Sequence, residues 1–557
     1  MKYLKIGNYE LAAAAIIAFA TGLRMLLIAM NWPPTNSDEG VMGIIALHIA
    51  YHGEHPLMFY GQDYMGTLEA YLAALFFHLL GGPSLFALRL GVVLMVMGFF
   101  MTMYLLSSLL FSKKLALITL ALLSVGSIPY LTRQMLATGG SAETLLFGSL
   151  ALLLVVWLSL TYQQELSRHR KLIRCTAYFV LGLVGGLAIW SDMVAAPIIA
   201  CAGLLLLVLC WRDLLPWGLP TIPGIVIGLL PSLRYSMLHH LNPITTLFSL
   251  FHGLDAHPPT TWLGILHDVK ETILVSIPTA TGNPFCPVQE LTFLSDNTPR
   301  TPVCEMVRGV WGTGYLVLLA LALLLTTVAL WQQRSQFSRQ TEIRSTEQRV
   351  QWIRSLTQLM MLATGVLIIT AFAVSAAPVW WPAFHARYLI TLLIILPAVI
   401  EPIGAAACRV RAQGITERIT TVSSRVALVT GALVLLMGTF IALSEVPEAQ
   451  QDTQNYVNLD HHLISVGVKN VKSDYWSCYT ITFLSNEHIL CDVMTGNLQP
   501  GYNRPSNYNA IVLADRHAAY VFKPDSGQYL SLMRMVHQPG KTYKYYAFNG
   551  YVVYIPQ

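Results

Sequence analysis

LFALRLGVVLMVMGFFMTMYLLSSLLF, residues 85–111, carries a single charged side chain, Arg89, near its start. A helix rises 1.5 Å per residue, and a hydrocarbon core about 30 Å thick takes roughly 20 apolar residues to cross, so the run predicts a membrane-spanning helix. Working outward, comparable runs occur at about 11–30, 115–131, 144–161, 174–190, 193–211, 214–235, 309–331, 355–374, 388–407 and 425–443, which with 85–111 makes eleven. Beyond residue 443 they stop. Composition agrees: 55% of the 557 residues are hydrophobic and 11% charged, against about 25% charged in an ordinary soluble domain. The expected fold class is a polytopic α-helical membrane protein, with a membrane domain over 1–443 and a soluble domain over 444–557.

Orientation follows from Lys and Arg, which are retained near helix ends on the cytoplasmic side. The first run follows Lys2 and Lys5 and lacks a small-residue cleavage site, so it is expected to be a retained helix with its N-terminus inside. From that start the inner segments receive Lys113 and Lys114; Arg168, Arg170, Lys171 and Arg174; Arg212; Arg334, Arg339, Arg344, Arg349 and Arg354; and Arg409, Arg411, Arg418 and Arg425. The external segments are then 31–84, 132–143, 236–308, 375–387 and the tail. The net charge of +5 is mostly this inner lining against anionic lipid, and no nucleic-acid partner is implied. Cys286 and Cys304 share one external loop and Cys478 and Cys491 share the tail, whereas Cys175, Cys201, Cys210 and Cys408 lie in helices or at inner ends. That is the partition expected of two disulfides in an oxidising compartment; four free external thiols are the alternative.

Three external pieces exceed simple turns. Residues 31–84 contain two amphipathic helical patterns, 40–52 with Val41, Ile44, Ile45, His48 and His52 at helical spacing, and 66–80 with Leu68, Leu72, Leu75 and Leu79. Both are expected to lie in the interface plane. The 236–308 loop predicts short helices around 263–277. The tail predicts a helix near 452–465 and strands in YTITFLS, EHILCDV, NAIVLAD, AAYVF, YYAFNG and YVVYIP, the first two as a hairpin carrying Cys478 and Cys491. It is expected to be a small mixed α/β domain.

Asp38 and Glu39, in NWPPTNSDEG (31–40), follow the first span closely. A carboxylate in a partly dry cavity can serve as general base toward a hydroxyl. Asn36 and Glu39 also read as a capping box for the helix that follows. The residues alone leave both readings open.

The order of features resembles the GT-C superfamily of integral-membrane glycosyltransferases, which use polyprenyl-phosphate-linked sugars. The features are the acidic pair, FYGQDYMGTLEAYLAALFFHLLG (59–81) running into LLGGPS and ALRL, the GLAIWSDMVAAP break between helices (186–197), and HARYLITLLIILP (385–397). The likeness covers roughly 1–443 and is nearest the branch of protein O-mannosyltransferases, aminoarabinose transferases and lipopolysaccharide-core sugar transferases. It implies an inverting transfer to an acceptor hydroxyl on the external face of the plasma membrane. Asp38 would be the base, with Glu39 beside it. Arg387, flanked by His385 and Tyr388, would meet the donor phosphate, with Arg89 and Arg133 as further candidates.

Gly66-Thr67-Leu68-Glu69 stands where many relatives carry a Lys-Pro-Pro type stretch, and Ser191-Asp192 where they carry a Lys. Gln62, Tyr64, Glu69 and Asp192 are therefore the candidates for sugar or acceptor contacts. For each of these the plainer alternative is polar roofing of the membrane surface, and for each arginine a side chain snorkelling to the headgroups. The partners implied are the polyprenyl-phosphate sugar, membrane lipid and a glycan, lipid or protein acceptor.

His48, His52 and His55 raise the question of zinc, since His at i and i+4 can share an ion. No further ligand is evident beyond Glu54, and an external DxD pair is absent. No obligatory metal or other cofactor is expected, with a divalent cation as the alternative. A transporter or lipid flippase is the competing class, but only Arg24 and Glu401 lie within spans and no inverted repeat is evident. A receptor built on the tail would not need eleven spans; the tail is expected to bind or position the acceptor.

Overall fold

The computed structural model describes residues 7–162, 167–240, 261–284, 301–337, 346–409, 414–504, 507–524, 526–540, 542–548 and 550–557. Cys286, Arg339, Arg344, Arg411 and much of the 236–308 loop lie outside them, so the Cys286–Cys304 pairing does too.

Among the described residues nine helices are long and apolar enough to cross a membrane, and Pro382–Leu389 with Leu392–Ala407, bent by 76°, make a tenth if taken as one span. The protein is a multi-pass membrane protein. The run at 115–131 departs from the expected single helix. A helix over Lys113–Ser124 starts on the Ser112 hydroxyl, which accepts from Leu115 N at 3.2 Å, and ends where Val125 turns extended. Gly126 follows, and a separate short helix, Ile128–Thr132, begins with Pro129 in its first turn, where a missing N–H costs nothing. The break is held from outside, since Gly126 N donates to the Thr439 hydroxyl at 3.1 Å.

The chain divides into two compact units, one of Met1–Leu23, Leu94–Gln134 and Gly140–Ala442, the other of Arg24–Val93, Met135–Gly139 and Leu443–Gln557. In the first, the helices Arg168–Ser191 and Thr221–His239 cross on small residues. A Cβ added at Gly182 would lie 2.1 Å from Thr221 O, at Gly224 2.2 Å from Phe179 O, at Gly228 2.5 Å from Leu183 O and at Gly186 2.6 Å from Ile225 O. Gly182 and Gly186, and Gly224 and Gly228, are two small-xxx-small pairs, which let backbones approach where lipid offers no hydrophobic drive to associate. Arg174 is buried against Asp213 and also donates to Leu158 O at 2.9 Å, so its charge is used locally.

The second unit joins the segment that follows the first span to the tail. Its sheet contains β1 (Asn470–Ser473), β2 (Leu490–Val493), β3 (Ala519–Phe522), β4 (Tyr543–Phe548) and β5 (Tyr551–Pro556) in the order β2-β1-β3-β5-β4. β1 runs parallel to β2 and β3, and β5 runs antiparallel to β3 and β4. The expected strands at EHILCDV, AAYVF, YYAFNG and YVVYIP are present, as is the helix over Val446–Ser465. YTITFLS and NAIVLAD instead fall in helices, Tyr475–Leu484 and Tyr508–Ala514. The hairpin is thus a helical crossover between parallel strands, and the Cys478–Cys491 disulfide ties that helix to β2.

Both in-plane patterns are helical: Ser37–Leu47 passing into a π-helical turn at His48–His52, and Leu68–Leu79. Ser37–Leu47 packs on Tyr475–Leu484 through its glycines. A Cβ at Gly40 would lie 2.5 Å from the Tyr479 carbonyl, and one at Gly43 2.4 Å from the Phe483 ring.

Candidate active site

Close approach of those two helices places Asp38 beside residues of the tail. Asn36 caps the first helix, its side-chain oxygen accepting from Glu39 N at 3.0 Å, and the Ser37 hydroxyl accepts from Tyr479 N at 3.0 Å. Asp38, in the first turn, then accepts through Oδ1 from the Tyr475 hydroxyl at 2.5 Å and from Arg504 Nη2 at 3.3 Å. Arg504 also donates from Nε to Tyr475 at 2.9 Å and lies over the rings of Phe59 and Tyr502. With its amide oxygen turned to the guanidinium, Gln62 accepts from Arg504 Nη1 at 2.9 Å.

The Arg504 segment is anchored in turn. Asn503 donates to Asp492 at 2.7 Å and accepts from Val493 N at 3.0 Å, and Arg504 N donates to the Tyr479 hydroxyl at 2.7 Å. Burial, reinforced by the Asp38 charge, pushes the Tyr475 phenol far above its usual range, which keeps it a donor. Burial works against the Arg504 charge, but Tyr475 and Asp38 outweigh it and raise its pKa. Asp38 keeps 18% of its side-chain surface exposed, and among the described residues both hydrogen bonds fall on Oδ1. One carboxylate oxygen is held while the other is open to a ligand.

Glu39 is placed differently. It has no solvent exposure and meets Arg89, equally buried, through two bonds, Nε–Oε1 at 2.8 Å and Nη2–Oε2 at 2.6 Å. Its Oε1 also accepts from Ala137 N at 3.1 Å, and Glu69, 2% exposed, accepts from Gly139 N at 2.8 Å. The two glutamates thereby hold the Met135–Gly139 segment within this unit. These positions revise the sequence-based expectations: Glu39 has no oxygen open to an acceptor, Arg89 is spent on Glu39 and not on a lipid phosphate, and Glu69 is a backbone anchor. Tyr64 is half-buried.

In the other unit Arg387, His385 and Tyr388 sit at the bend before Leu392–Ala407. Arg387 occupies a 3₁₀ turn, Ala386–Leu389, with its guanidinium over the Phe384 and Tyr388 rings and Nη2 donating to the Tyr388 hydroxyl at 3.1 Å. The His385 ring stacks on Tyr388, and its Nδ1 bonds Ala377 O at 2.8 Å. Arg133 donates to Phe384 O at 2.9 Å and lies over the same ring. Asp192 caps the turn between two spans through Val194 N at 2.9 Å and lies within electrostatic reach of Arg387. Gly140, at φ +86°, fits beside it, since a Cβ there would fall 2.0 Å from Asp192 Oδ2. Of the candidate cations, Arg387 and Arg133 meet at one aromatic ring, with Asp192 near.

No family model and no curated protein sequence matches this chain. Solved structures do. ArnT from Cupriavidus metallidurans bound to undecaprenyl phosphate aligns with a TM-score of 0.54 at 12% identity over 97% of both chains. Its apo state aligns at 0.55 and 13%, again over 97% of both. The apo oligosaccharyltransferase of Archaeoglobus fulgidus aligns at 0.50 and 11%, over all of this chain and 75% of that one. The chain has the GT-C fold.

Within this fold, the remaining sequence-named residues fall into two groups, Asp38 with Gln62 in one unit and Arg387, His385, Tyr388, Arg133 and Asp192 in the other. Arg504 and Tyr475, the two side chains that hold Asp38, are residues of the candidate site that sequence reasoning missed. Nothing in their local spacing marks them, because their role comes from contact with a helix more than 400 residues away.

Proposed function

We propose that the protein is an inverting glycosyltransferase moving a sugar from a polyprenyl-phosphate donor to an acceptor hydroxyl on the outer face of the plasma membrane. Asp38 is the base and needs no metal for that role. Its open oxygen takes the proton as the acceptor oxygen attacks the anomeric carbon, while the bond from that carbon to the phosphate oxygen breaks and leaves polyprenyl phosphate. Developing charge on the leaving phosphate needs cationic donors, and Arg387, with Arg133 beside it, supplies them. The observation that carries the proposal is the one-sided grip on Asp38: Tyr475 and Arg504 fix Oδ1, an arrangement that orients a carboxylate without consuming it. The likeness to ArnT, whose structure contains undecaprenyl phosphate, supports the donor class.

Gln62 and Asp192, each beside a charged residue of one group, are the sugar or acceptor contacts. The test supplies membranes with labelled polyprenyl-phosphate sugar and candidate acceptors. Asp38→Asn, matched for expression, is expected to abolish transfer, and full transfer would refute the assignment. Arg387→Ala should weaken use of donor more than use of acceptor.

A further inference from the structure

His48, His52 and Glu487 bring two imidazoles and a carboxylate together with one potential ligand atom each, all within 4.8 Å of one another. We infer that these three residues bind one zinc-class divalent cation, a structural staple between the in-plane helix and the tail. The site is separate from Asp38 and does not depend on the transfer reaction.

The donor geometry carries the inference. His48 Nδ1 lies 2.7 Å from the Tyr60 hydroxyl, which donates to Glu54 Oε2 at 3.1 Å. The nitrogen facing that hydroxyl oxygen carries the N–H, which leaves Nε2, on the other side, as the ring's one lone-pair donor in the neutral imidazole. There it faces Glu487 Oε1 at 2.9 Å and the Tyr508 hydroxyl at 3.2 Å, and because that hydroxyl gives its one hydrogen to Glu487, Nε2 and Oε1 stand acceptor to acceptor. A cation between them satisfies both. The second carboxylate oxygen, Oε2, is 4.0 Å from His52 Nε2. Ligands at about 2.0–2.2 Å in a tetrahedral shell stand about 3.3 Å apart; the two nitrogen–oxygen separations bracket that value and every pair lies within 4.8 Å.

Supporting structure surrounds the cluster. Tyr60 and Glu54 behind His48 form the outer hydrogen bonds that orient metal-bound imidazoles, and the Tyr508 hydroxyl donates to Glu487. The histidines lie on a π-helical turn, His48–His52, with rings stacked 5.1 Å apart; such turns cluster at functional sites. Two imidazoles with one carboxylate select zinc-class ions over calcium or magnesium, which take oxygen. His52, with 51% of its side chain exposed, leaves the fourth position to water.

The full chain, purified in detergent without a polyhistidine tag and stripped with chelator, is titrated with zinc. One equivalent is expected to bind, with two imidazole nitrogens in its X-ray absorption spectrum and a raised thermal midpoint. His52→Ala and Glu487→Gln should abolish stoichiometric binding. Tyr60→Phe should weaken it about 10–100-fold, and His55→Ala, next to the cluster, should leave it unchanged. The inference is overturned if no equivalent binds, as when a proton on Nε2 alone bridges His48 and Glu487, or if binding survives both ligand variants.

Discussion

Glutamine at position 39 keeps the shape of the side chain and removes its charge. In the parent, Glu39 and Arg89 are both without solvent exposure and joined by two short charge-assisted bonds, at 2.8 and 2.6 Å, with Ala137 N as a third contact. The substitution leaves a guanidinium buried without its counter-charge and turns an amide N–H₂ toward either that cation or Ala137 N. Removing one partner of a buried pair costs about 3–5 kcal/mol, since the remaining charge has no water to retreat to. The unit that holds the pair has roughly 190 residues, and at that size about 1 kcal/mol moves the midpoint by 2–4 °C. Glu39→Gln should therefore lower the thermal midpoint by about 6–20 °C. Heating detergent-solubilised protein and measuring what remains monodisperse reads this directly. Glu39→Leu combined with Arg89→Met should recover much of the loss, because replacing both charges removes the uncompensated one. A Glu39→Gln midpoint within 2 °C of the parent, or a double variant as unstable as the single, would refute the structural role given to Glu39.

Arg504→Lys should lower transfer about 10–100-fold while the protein remains folded, because an ammonium cannot hold Tyr475, Gln62 and Asp38 together; steady-state kinetics on matched membranes checks it. Gly40→Ala should force the two packed helices apart, costing about 1–3 kcal/mol and reducing transfer through loss of the Asp38–Tyr475 contact; a midpoint and rate equal to the parent's would contradict the close approach at Tyr479. Cys478→Ser with Cys491→Ser opens a loop closed across a separation of 13 residues and should cost about 3 kcal/mol, seen as a lower midpoint that reductant no longer changes.

Hydropathy made the membrane architecture legible because about 20 apolar residues in a row have few other uses. The run at 115–131 misled for a local reason: apolarity is blind to the backbone turn at Val125 and Gly126. The tail was misread where propensity and context disagree. YWSCYTITFL is rich in aromatic and β-branched residues, yet it is helical because Asp474 caps it through Trp476 N and Ser477 N and because Ser477 to Phe483 are all buried, which erases any amphipathic period. Glu39 and Arg89 were visible as charges, but a charge in a sequence does not announce its partner. Asp38 was singled out by its place after the first span, and only the resemblance favoured a base over a helix cap. The residues that grip it could not be singled out, since no spacing rule links positions 437 and 466 residues apart.

That separation sets a clock. A ribosome adding about 5–20 residues per second needs roughly 25–90 s to travel from Asp38 to Arg504. Throughout that interval the in-plane helix has no Tyr479 backbone to lie on, no Arg504 for its aspartate and no Glu487 for its histidines. Its small-residue face, Gly40 and Gly43, lacks the Tyr479 and Phe483 surface it packs on until the tail is made. A chain stalled or cleaved before Arg504 would insert normally and still lack an oriented carboxylate. The grip on Asp38 therefore forms only after the chain has been made through Arg504.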